Sequence, residues 1–162
     1  MLKMMTSGMF VVGLAAVPVA LSPRLSPGPA PAPTPAPMVR PDPRLATLRT
    51  FFRNAACPAE EYAAAFLEAA DNNALDWRLL PSLSYVETTG GKSAINNNLF
   101  GWDSGRAKFP SPAASIHAVG YRLSHSDLYR NKKLDRLLAT YNPLAEYGQR
   151  VKSVMRQIAP SE

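Results

Sequence analysis

An all-α domain with a cleft is the fold this sequence predicts, and three observations carry it. Apolar residues recur at helical spacing in about six segments between Pro43 and Ile158. Almost nothing alternates with the two-residue period of a half-buried strand. A long Asn-, Gly- and Ser-rich stretch from Lys92 to Pro110 interrupts the helices, and irregular segments of that length in a compact domain are usually functional. A small hairpin in that loop is the most strand the sequence admits.

Residues 1–22 come first. Lys3 precedes the apolar run Met9-Phe10-Val11-Val12-Gly13-Leu14-Ala15-Ala16-Val17, the pattern of an export signal. Ala20 is the candidate end of a cleaved leader, but Pro18 stands where a small residue is wanted. An uncleaved membrane anchor is therefore the alternative, although the run is short for a full span. Residues 23–43 hold nine of the 16 prolines, alternating largely with alanine from Pro29 to Pro37. Proline fixes its own backbone and restricts its neighbour, so this segment reads as an extended, solvated spacer. The folded domain is expected over 44–162, exported and held in or near the cell envelope.

Within the domain, Asp42-Pro43 reads as N-cap and first helical position, with Leu45, Leu48, Phe51 and Phe52 on one face. A second helix starts at Pro58, presents Tyr62, Phe66, Leu67 and Ala70, and ends near Asn72-Asn73. A third is expected from Asp76, as N-cap, to Glu87. Trp77, Leu80, Leu83 and Val86 form its buried stripe, Pro81 lies close to its first turn, and Gly90-Gly91 stop it. Ser111-Pro112 restarts a helix carrying Ile116, Val119, Gly120 and Leu123. Leu134, Leu137, Leu138 and Tyr141 mark the next. Asn142-Pro143 caps the last, whose stripe is Tyr147, Val151, Val154 and Ile158.

Composition narrows the partners. A formal charge of +6 and a pI near 9.7 favour an anionic one: nucleic acid, anionic lipid or an anionic wall polymer. The basic residues are spread through the C-terminal half, with only Lys132-Lys133 as a tight pair, and no arginine–aromatic interleaving points to nucleic acid. The single cysteine, Cys57, rules out an internal disulfide framework. His117 and His125 stand without the further ligands that zinc requires, so neither a metal nor a cofactor is expected.

Glu87 falls in the last turn of the third predicted helix. There the negative end of the helix dipole and partial burial both penalise an ionised carboxylate, which favours a proton held near neutral pH. That is what a general acid requires. The run Ser84-Tyr85-Val86-Glu87-Thr88-Thr89-Gly90-Gly91-Lys92-Ser93, followed by Asn97-Asn98-Leu99-Phe100-Gly101, resembles the signature of the glucosaminidase family. These are lysozyme-like peptidoglycan hydrolases, also described as mannosyl-glycoprotein endo-β-N-acetylglucosaminidase-like domains. Thr140-Tyr141-Asn142-Pro143, with Glu146-Tyr147 and Val151 after it, is similar to the tail of that family and to the tyrosine-asparagine element of lytic transglycosylases. The resemblance spans Tyr62 to Ile158.

It implies a lysozyme-like helical domain that cuts peptidoglycan glycan strands, with Glu87 protonating the leaving oxygen. Asp103 is the candidate second carboxylate, and Glu146, whose place also suits an exposed first-turn acid, a weaker one. Tyr141 is expected in the cleft against the sugar or Glu87, its alternative being a core tyrosine. Thr88, Asn98, Phe100, Trp102 and Tyr147 are the expected substrate contacts, Asn98 and Phe100 also shaping the cleft floor, and Trp77 is assigned to the core. Thr88 stands where transglycosylase relatives more often carry serine. Without a second acid, the substrate's acetamido group or an intramolecular sugar hydroxyl would have to attack. The rival readings are a lytic transglycosylase and a non-catalytic glycan-binding or scaffold module of the envelope. A monomer is expected.

Overall fold

The computed structural model describes residues 41–160. The expected leader and nearly all of the proline-rich spacer lie outside them. The domain is all-α, and among the described residues there is no strand, so the small hairpin allowed for the 92–110 loop does not form. Six helices make the body: α1 (Pro43–Asn54), α2 (Ala63–Asn72), α3 (Leu79–Thr88), α4 (Pro112–His125), α5 (Leu134–Tyr141) and α6 (Ala145–Ile158). No helix of the described residues is long and apolar enough to cross a membrane.

Two starts follow the capping rules directly. The Asp42 carboxylate accepts from the Arg44 amide (2.9 Å) with Pro43 at the first helical position, and the Ser111 hydroxyl accepts from the Ala114 amide (3.1 Å) ahead of Pro112. Three other starts depart from expectation. Pro58 opens a 3₁₀ turn, Pro58–Tyr62, and the α-helix proper begins only at Ala63. Asp76 accepts from the Arg78 amide (2.9 Å) in a turn, and α3 starts three residues later at Leu79. This places Pro81 third in the helix, where its missing N–H is no loss. Asn142 likewise accepts from the Leu144 amide (3.0 Å), so α6 begins at Ala145 rather than at Pro143.

The core closes around α3. Leu80, Leu83, Phe52, Phe66, Phe100, Ile116, Leu138 and Val151 are sealed from solvent, while Trp77 and Val86 are only partly covered. Helix α3 packs on α6, and α2 packs on α4. The approach of α2 and α3 to α4 is close: a Cβ on Gly120 would sit 3.2 Å from Leu80 of α3 and 3.5 Å from the Ala69 Cβ of α2. With α3 fixed on three sides, its C-terminal end is held where the loop returns over it.

Candidate active site

The site begins with the way α3 stops. Thr89, Gly90 and Gly91 all take left-handed backbone angles, φ +53°, +59° and +95°, so the termination expected at the glycines starts one residue earlier. The Gly90 amide turns back to the Ser84 carbonyl (3.2 Å), and the Gly90 carbonyl accepts from the Ala59 amide (3.0 Å). A Cβ on Gly90 would come within 2.8 Å of the Cys57 Cβ, so glycine is needed there for space as well as for φ. The buried Cys57 thiol packs against this reversal, and burial pushes its pKa up.

Two buried polar side chains then fix the returning loop. The Thr88 hydroxyl donates to the Leu99 carbonyl (2.8 Å) and accepts from the Gly91 amide (3.1 Å). The Asn98 side chain, 1% exposed, donates to the Trp102 carbonyl and accepts from the Trp102 amide, both at 2.9 Å. An amide has both a donor and an acceptor, so one side chain satisfies both backbone groups of a tight turn. Thr88 and Asn98 are thus buried supports of the loop.

Glu87, partly buried, forms one wall of a cleft of about 330 Å³ shared with Phe100, Trp102, Asp103, Tyr129 and Tyr141. Its Oε1 accepts from the Tyr147 hydroxyl at 2.7 Å. A Cβ on Gly101 would lie 3.5 Å from Oε2, an ordinary contact distance, so this oxygen lies on the side of the left-handed Gly101. The Tyr141 hydroxyl donates to the Phe100 carbonyl (3.3 Å), and its ring stacks on Tyr147 with centroids 5.8 Å apart and planes 10° apart. Burial, then the hydrogen bond to Glu87, raises the Tyr147 phenol; burial, then the Glu87 charge, raises Tyr141 well above its ordinary value. Both therefore stay protonated and serve as donors.

No protein-family model, no curated protein and no solved structure matches this chain. Geometry therefore carries the reading of each expected site residue. The structure brings Glu87, Phe100, Trp102, Asp103 and Tyr141 to one cleft. Tyr147, expected as a substrate contact, is 4% exposed and does not line that cleft; it holds Glu87 from beneath. Asp103 is 57% exposed and engaged by Arg106 (2.8 Å). Glu146 is exposed in the first turn of α6 and lines a different depression. Trp102 packs edge-on against Tyr129 and Tyr141, and the Arg122 guanidinium lies over its ring, 5.0 Å from the centroid.

Sequence reasoning missed Tyr129, which lines the cleft, and Arg122, which lies over the ring of its Trp102 wall. Tyr129 falls in the turn between α4 and α5, where no periodicity marks it, and Arg122 reads as an ordinary exposed helix residue. A larger depression of about 710 Å³, lined by Thr47, Phe51, Asn54, Tyr85 and Gln157 among others, contains no acidic or basic side chain. That depression offers no carboxylic acid, so the smaller cleft is the candidate site. Among the described residues no group of His, Cys, Asp or Glu side chains is placed to hold a metal ion.

Proposed function

We propose that this protein cleaves the glycan strands of peptidoglycan as a lysozyme-like, glucosaminidase-type glycoside hydrolase, with Glu87 as general acid. One observation carries the reading. The only carboxylate of the cleft that is both partly buried and held by a neighbouring side chain's hydroxyl is the one picked out by the glucosaminidase-like sequence run. With Oε1 occupied as acceptor of the Tyr147 hydroxyl, the transferable proton belongs on Oε2, the oxygen beside Gly101, itself a lining residue of the cleft. As the bond between the sugar's anomeric carbon and the leaving oxygen breaks, that proton passes to the oxygen and positive charge develops on the ring. Aromatic walls and the loop carbonyls are suited to a sugar ring, which offers apolar faces and a hydroxyl rim. The basic surface suits an anionic wall polymer, and the proline-rich spacer suits an exported enzyme held off a membrane. No cofactor is required by this chemistry.

The deciding experiment is wall-clearing zymography with Glu87→Gln. The amide keeps an acceptor for Tyr147, so the melting temperature should stay nearly unchanged while clearing is lost, a drop of at least about 10²–10⁴-fold. Clearing by this variant would remove the assignment, and a wild-type protein that binds wall material without clearing it would be a binding module.

A second reading is favoured by the state of Asp103. A hydrolase with paired acids needs a second carboxylate to activate water, and Asp103 is largely exposed and tied to Arg106. With that acid engaged, attack by the sugar's own hydroxyl gives a lytic transglycosylase. Mass spectrometry of released fragments separates the two: anhydro ends mean transglycosylase, new reducing N-acetylglucosamine ends mean glucosaminidase.

A further inference from the structure

We propose that Arg122 is a specificity-determining residue of the Glu87 cleft, reading a carboxylate carried by the glycan on its Trp102 side. The inference rests on the glycan-cleavage reading and adds what the glycan must bear. Arg44, Arg53, Arg78, Arg106 and Arg130 each meet a carboxylate. Arg122 meets none among the described residues, and instead its guanidinium carbon lies over the Trp102 ring, 5.0 Å from the centroid. Arg49, Arg136, Arg150 and Arg156 also lack an acid, but among the described residues none of them is placed over a ring that lines the cleft.

A cation over an aromatic face is held by the ring's quadrupole without using up its N–H donors. A cation so held loses little freedom when an acid arrives, and its fork geometry suits a carboxylate. Three neutral donors share the cleft: the Ser104 and Tyr129 hydroxyls and the Asn142 side-chain amide nitrogen, none with a hydrogen-bond partner among the described residues. Burial raises the Tyr129 phenol and the Arg122 charge opposes it, so the cation and this cleft wall lie in one electrostatic field. Asp103, the acid that could otherwise neutralise this rim, is engaged by Arg106. The unmatched positive charge thus calls for an acid from the ligand: the lactyl carboxylate of a muramic sugar, or a carboxylate of a peptide attached to it.

The test measures binding without turnover, in a Glu87→Gln background. Calorimetry would compare an N-acetylmuramic-acid disaccharide with a free lactyl carboxylate, its lactyl carboxamide, and a peptide-bearing form whose lactyl group is amidated. At low salt Glu87→Gln should bind at least one acid form about tenfold more tightly than the carboxamide, the size expected of one charge-assisted contact. Whichever acid form gains identifies the source of the carboxylate. Adding Arg122→Gln should erase the gain, and Arg122→Lys should retain part of it. Equal binding of all three ligands by Glu87→Gln, or a preference that survives Arg122→Gln, overturns the proposal while leaving glycan cleavage intact. If none of the three binds and the wild type clears no wall material, the glycan reading fails and this inference falls with it.

Discussion

Glu87 and Tyr147 stand 60 residues apart in the chain and meet at 2.7 Å. The hydroxyl engages Oε1 and leaves Oε2 on the Gly101 side, so its removal should disturb geometry more than affinity. Tyr147→Phe is expected to lower kcat about ten- to a hundredfold with little change in KM. Its cost in stability should stay under about 1.5 kcal/mol, because partly exposed Glu87 can recover a partner from water. Steady-state kinetics and a denaturant melt on the same preparation check both halves. A raised KM at constant kcat would instead return Tyr147 to the substrate contacts. This bond was not legible in the sequence, where Tyr147 is one apolar-stripe residue among four and an expected substrate contact rather than a partner of Glu87. Glu87 was legible, because a helix end, two glycines and an asparagine run all lie within fifteen residues of it.

The elements were read with uneven accuracy, and the reason is physical. Asp42-Pro43 and Ser111-Pro112 each cap a helix as their chemistry suggests, yet Asp76 and Asn142 use the same side-chain oxygens to close a turn just before one. An Asx side chain satisfies an amide two residues on in either setting, so local sequence does not separate them. The loop from Lys92 to Pro110 was recognisable as irregular, but its order comes from buried contacts that no periodicity records. Asn98 is the central one. Asn98→Ala would leave both the Trp102 amide and its carbonyl without their partners, and should cost about 2–3 kcal/mol. Wall clearing should fall with it, since Trp102, Asp103 and Gly101 all hang from that turn. A chemical-denaturation midpoint within error of wild type would show that solvent replaces the amide.

At the scale of the whole molecule, the two stacked tyrosines couple the site to stability. Burial raises both phenols above their ordinary value of 10.0. A group whose folded pKa exceeds its unfolded one favours the native state only while it is protonated there. Its contribution is therefore complete below about pH 10 and lost as pH climbs beyond it. The melting temperature should fall steeply above pH 10, and Tyr147→Phe should lessen that fall, which thermal melts between pH 8 and 11 would reveal. The body of six helices was legible from apolar spacing alone, since burial of one face per helix is what the spacing encodes. How three left-handed residues after Thr88 fold the chain back was not. Their consequence concerns portability. Within residues 79–102 the helix end and the returning loop are tied by Thr88 and Asn98, while Ala59, Tyr141 and Tyr147 brace them from outside, so the segment is a cassette only with those braces. A protein engineer could transplant it between helical scaffolds, provided the host supplies a small residue beneath the glycine and a phenol behind the acid.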